Sequence, residues 1–94
     1  MIIPLSSTII VSTEVLSQEV GGETVLLDLQ SESYFSLDEV GTRIWQLLKQ
    51  DGNLQQAFDT LLEEYDVVAG QLEQDINALL NKLIDAELIK VSGT

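Results

Sequence analysis

Neither histidine nor cysteine occurs anywhere among the 94 residues, so the commonest general base, the thiolate nucleophile and the usual soft-metal ligands are all missing. The serines, lysines and carboxylates that remain do not fall at the spacing of any known catalytic set, and enzyme activity, a metal and a cofactor are not expected. What the side chains can do is recognise. Sixteen acidic against four basic residues give a net charge of −12, a field that repels nucleic-acid phosphates and anionic lipid headgroups and suits a basic or amphipathic partner.

Two stretches could shape such recognition. Ser33-Tyr34-Phe35-Ser36-Leu37 has the residue types of a short strand, and Asp75, Ala78, Leu79 and Lys82 fall on one side of a helical repeat, with two charges flanking a small and an apolar residue. An extended peptide can add itself to an exposed strand through main-chain hydrogen bonds, while side-chain pockets choose the partner. Tyr34 and Phe35 alternate, so one of them faces the core, and Tyr34 is read as the residue that lines the groove. Leu79, on the apolar stripe of its helix, is first of all a core residue. An exposed edge can equally pair two copies of the chain into a homodimer.

The elements that position these residues follow from pattern. Thr8–Ser12 is a β-branched run, Thr13–Val20 continues it more weakly up to Gly21-Gly22, and Thr24–Gln30 is a further apolar run. With Ser31-Glu32-Ser33 as a polar turn before Tyr34–Leu37, these predict a meander of three or four antiparallel strands. Asp38 then caps a helix over about Glu39 to Gln50. Asp51-Gly52 reads as its glycine C-terminal cap, and Asn53, with Gln56 three residues on, caps a second helix. Leu54, Ala57, Phe58, Leu61, Leu62 and Tyr65 make that helix's apolar stripe, and Leu72, Ile76, Leu79, Leu80, Leu83 and Ile84 mark a third over about Gly70 to Ala86. Trp45 is read as a core anchor whose indole N–H needs a partner or the surface. Leu88–Val91 forms a short strand or trails across the core, and Ser92-Gly93-Thr94 reads as a frayed end.

The expected architecture is α+β, an N-terminal three- to four-stranded antiparallel sheet packed on three helices, as a single domain over residues 1–94. Met1–Leu5 lacks the basic start and the cleavage site of a signal peptide, and no apolar run approaches the ~20 residues of a membrane span. A cytoplasmic protein is expected.

The run Val25-Leu26-Leu27-Asp28, then Tyr34-Phe35-Ser36-Leu37-Asp38, Val40-Gly41 and Ile44-Trp45-Gln46-Leu47-Leu48, followed by Asp75-Ile76, Leu79-Leu80, Leu83-Ile84 and Leu88-Ile89, resembles the PqqD-like family of small peptide chaperones over about Thr8 to Val91. The resemblance implies a winged helix-turn-helix-like fold that binds the leader segment of a ribosomally made, later modified precursor peptide instead of DNA. It places the site between the hairpin's last strand and the third helix. Within the family the chain resembles the free-standing members of lasso-peptide clusters, whose further partners are a leader-cleaving protease and a cyclase. Two positions depart from the family pattern: Asp38 stands where asparagine is common, and Glu87 where glycine usually precedes the final leucine-isoleucine.

Two other readings compete. Phe35-Ser36-Leu37-Asp38 is similar to the serine-leucine motif of acyl and peptidyl carrier proteins, in which Ser36 would hold a phosphopantetheine arm. However, Phe35 replaces the aspartate that precedes that serine, and strands stand where a carrier has a helix. A DNA-binding winged helix would need a recognition helix that carries Glu73, Asp75 and Asp85 with Lys82 alone for positive charge, too little to neutralise several phosphates.

Overall fold

The computed structural model describes residues 2–92. In chain order the elements are β1 (Thr8–Val11), β2 (Val15–Val20), β3 (Glu23–Asp28), β4 (Ser33–Leu37), α1 (Glu39–Gln50), α2 (Leu54–Glu64), α3 (Ala69–Asp85) and β5 (Ile89–Ser92). Strands β2, β3 and β4 form an antiparallel meander in that spatial order, while β1 pairs with β5 in a separate two-stranded wing. The meander therefore has three strands, and the β-branched run at the N-terminus belongs to the other sheet. Ser92 closes β5; Gly93 and Thr94, the rest of the expected frayed end, lie outside the described residues.

Local chemistry explains the turns. Gly21 and Gly22 adopt φ of +61° and +88°, the left-handed pair that a two-residue hairpin needs for its twist to match the flanking strands. The second turn differs from expectation. It spans Leu29–Glu32, so β3 ends at Asp28 and Ser33 already belongs to β4. Buried Asp28 organises it: the carboxylate accepts from the Gln30 N–H at 3.2 Å and the Ser31 hydroxyl at 2.8 Å, and the backbone carbonyl accepts from the Glu32 N–H at 2.7 Å.

The helix starts match the sequence. Asp38 Oδ1 accepts from the Gly41 N–H at 2.7 Å, and Asn53 Oδ1 accepts from the Gln56 N–H at 3.1 Å, satisfying amides that have no partner within the first turn. α1 ends at Gln50 as expected, but without the expected glycine cap. Asp51 is its extended C-cap, and Gly52 is required for another reason: a Cβ there would stand 2.1 Å from the Ile9 carbonyl oxygen. The Ile9 N–H donates to Gly52 O at 2.7 Å and the Leu54 N–H to Ser7 O at 3.4 Å, so β1 is held between β5 and the turn joining α1 to α2.

α3 begins without a side-chain cap and ends in a Schellman turn. There Glu87, at φ +63°, donates its N–H to Ile84 O, and Leu88 donates to Leu83 O, each at 2.9 Å. Glu87 thus adopts the left-handed conformation that glycine would occupy without strain, and the chain leaves α3 by the usual route.

The core joins all layers. Leu26 and Leu37 of the meander, Ile44, Trp45 and Leu48 of α1, Leu54, Phe58 and Leu61 of α2, Leu72, Ile76, Leu80 and Leu83 of α3, and Ile9 and Ile89 of the wing are buried together. Each such aliphatic side chain contributes roughly 1.5–3 kcal/mol by leaving water. Trp45 is the expected anchor, yet its indole N–H finds neither a partner among the described residues nor the surface. No helix among the described residues is long and apolar enough to cross a membrane.

Candidate functional site

β4 is an outer strand of the meander, and its free side opens on a groove of about 540 Å³ whose opposite wall is α3. Strand alternation decides which β4 side chains enter it. Phe35 is in register with fully buried Leu26, so Phe35 and Leu37 point inward; Tyr34, in register with Leu27, points to the other face and is 75% exposed. The groove residue is therefore Phe35, and the preference for Tyr34 is corrected. Ser33 is also absent from the lining, whereas Ser36 borders it.

On the far wall all four expected residues, Asp75, Ala78, Leu79 and Lys82, line the groove. Leu79 is half-buried and packs against the core while bordering the groove, so it serves as both. The sequence reading missed the third contribution, from the strand-to-helix junction and the first turns of α1: Asp38, Val40, Gly41 and Ile44. A signal was present in Gly41. A Cβ there would lie 3.2 Å from Asp38 Oδ1 and 3.4 Å from the Leu37 side chain, so the glycine lets α1 start tight against the end of β4.

The floor is apolar and the rim is charged. Leu37 and Ile44 are almost completely buried; Asp38, Asp75 and Lys82 are exposed. Asp75 Oδ1 accepts from the Gln71 side-chain amide at 2.9 Å, while the Lys82 ammonium makes no ion pair or hydrogen bond among the described residues. The two walls run in opposite directions. Gln30 of the hairpin turn lines a second groove together with Ile84 and Glu87, so the last turn of α3 lies beside the hairpin turn where β4 begins. Asp75 consequently sits toward the Asp38 end and Lys82 toward the Ser33 end.

Ser36, the serine of the carrier reading, lies inside β4, two residues before the Asp38 cap. A strand precedes it where a carrier has a helix. Away from the groove, the meander's other face exposes Leu16, Val25 and Tyr34, and Arg43 bridges α1 to Glu64 of α2 at 2.6 Å. Hydrogen bonding to Arg43 holds the Glu64 carboxyl below its ordinary value and raises the guanidinium in return.

A three-stranded meander and a two-stranded wing around three helices, with one outer strand left beside α3, define a winged helix-turn-helix-like α+β fold. Residues 23–89 match the family described as "Coenzyme PQQ synthesis protein D (PqqD)", and the chain belongs to that family. A solved structure, "TbiB1 in Complex with the TbiA(beta) Leader Peptide", is similar over 90% of this chain and 99% of that one, with 35% sequence identity and a TM-score of 0.83. No curated protein matches the chain.

Proposed function

We propose that the groove between β4 and α3 binds the leader segment of a ribosomally synthesised precursor peptide, which joins the meander as a fourth strand along β4. The observation that carries this reading is an outer strand with no neighbour on one side among the described residues and facing an apolar-floored groove, in a chain similar to a protein whose structure holds a leader peptide. Main-chain hydrogen bonds to β4 supply affinity, and Phe35, Leu37, Ala78 and Leu79 supply the side-chain fit. The protein acts as a non-catalytic recognition module. It hands the bound precursor to the leader protease and the cyclase of a lasso-peptide pathway.

Fluorescence polarisation tests this directly, with labelled leader segments of precursor peptides encoded beside the gene. The expected result is saturable binding that is kept when the core peptide is removed and lost when the leader is removed. Ala78 is exposed on α3, so Ala78→Trp fills the groove without disturbing the core. A folded Ala78→Trp protein that binds the leader as tightly as wild type would place the site elsewhere.

A further inference from the structure

Three of the side chains lining the groove are charged: Asp38, Asp75 and Lys82. Because the end of α3 lies beside the hairpin turn, Asp75 falls toward the start of α1 and Lys82 toward the start of β4. The chain has only four basic residues, and the other three lie elsewhere. Arg43 pairs with Glu64, Lys49 donates to the Ser17 hydroxyl, and Lys90 lines the wing groove. Lys82 is therefore the groove's one cation, and its ammonium has no partner among the described residues.

This placement matters against the background of the whole chain. A net charge of −12 favours basic peptides everywhere on the surface and disfavours acidic side chains everywhere. Lys82 locally reverses that preference at one end of the groove. The opposite end reinforces it, because both carboxylates of the lining lie on that side. Asp75 and Lys82 are seven residues apart on α3, about 10 Å along the helix axis at 1.5 Å per residue. A strand rises about 3.4 Å per residue, so that separation spans roughly two to four positions of an extended peptide, given the reach of the side chains.

Direction follows from the sheet. Both strand pairs of the meander are antiparallel, and antiparallel pairing is the more stable arrangement per residue. A peptide added antiparallel to β4 enters at the Asp38 end and leaves at the Ser33 end. Resting on the leader-binding reading above, we propose that the groove reads a charge order: a basic side chain opposite Asp38 and Asp75, followed two to four residues later by an acidic side chain opposite Lys82. Lys82 is then a specificity-determining residue that fixes register and direction. It adds little to raw affinity, since exposed ion pairs are individually weak.

The test is a display selection with randomised 14-residue peptides, run in parallel against wild type, Lys82→Glu, Asp75→Lys and Ala78→Trp. Lys82 and Asp75 are exposed, so these variants keep the fold, which circular dichroism verifies. Wild type is expected to enrich peptides, lost with Ala78→Trp, that carry a base and then an acid two to four positions later. With Lys82→Glu the acid becomes a base and the upstream base stays; with Asp75→Lys the upstream base is lost and the downstream acid stays. Synthetic peptides with the two charges exchanged should bind wild type roughly fivefold more weakly. Groove-dependent peptides with the same charge pattern in all three selections would overturn the charge order and leave leader binding standing. If no peptide in any selection depends on Ala78, the leader-binding reading itself falls, and the charge order with it.

Discussion

Phe35 of β4 and Leu79 of α3 stand on opposite walls of one groove, each half-buried against the core and each bordering the open space between the walls. Side chains in this position contribute twice, once to packing and once to a ligand's surface. Phe35→Ala is expected to weaken leader binding by about tenfold or more and to lower stability by roughly 1–3 kcal/mol. Tyr34→Ala, on the opposite face of the same strand, should leave binding within about twofold of wild type. Titration of both variants, alongside their thermal melts, separates the two roles.

Glu87 has a side chain in a backbone conformation that costs a non-glycine residue about 1 kcal/mol. Glu87→Gly should therefore stabilise the protein by about 0.5–1 kcal/mol, raising the melting temperature by several degrees in a domain of this size. Glu32, at φ +58°, offers the same gain at the hairpin turn. Differential scanning calorimetry of the single and double variants checks both, and the double variant shows whether the effects at two neighbouring turns add.

Gly52→Ala should act in the opposite direction. A methyl group 2.1 Å from the Ile9 carbonyl forces β1 away from the interhelical turn and strains the 2.7 Å hydrogen bond from Ile9. A loss of about 2 kcal/mol or more is expected in urea unfolding. If the variant melts like wild type, the close approach of β1 to this turn is not present in solution.

The Arg43–Glu64 pair gives a small pH dependence. Because the folded carboxyl titrates below its ordinary value, the pair's contribution is present above the unfolded carboxylate range and is lost as pH falls through the folded value. Both partners are about one-third exposed, so Glu64→Gln should cost under about 1 kcal/mol at pH 7. The difference from wild type should close below about pH 4, as paired denaturation curves at the two pH values would show.

Elements fixed by neighbours in the chain were legible in the amino-acid sequence. The Asp38 and Asn53 caps, the glycine hairpin and the bounds of α1 all rest on contacts within a few residues, and the fold has each of them where the pattern predicts. Long-range features were not legible. A β-branched run such as Thr8–Ser12 does not encode its partner, and only the fold brings it to β5 instead of the meander. Strand alternation left two choices at Tyr34 and Phe35, and the register with Leu26 decides between them. At Gly52 the residue type was informative but its cause was ambiguous, since a helix cap and a close backbone approach both call for glycine. The missed groove residues on α1 share that origin: their role depends on how tightly a helix starts against the preceding strand.

The two sheets differ in how much chain must be organised before each can form. Every pairing of the meander lies within residues 15–37, so it can assemble from a short, local stretch at small loop-closure cost. The wing joins Thr8–Val11 to Ile89–Ser92, and nearly the whole chain must be in place before those strands meet. Such non-local pairing is expected to come late on the folding route, since its loop-closure cost must be met before its contacts form. Refolding should then show early protection of amides in β3 and α1 and late protection in β1 and β5, with the wing the first part to open again under mild denaturant.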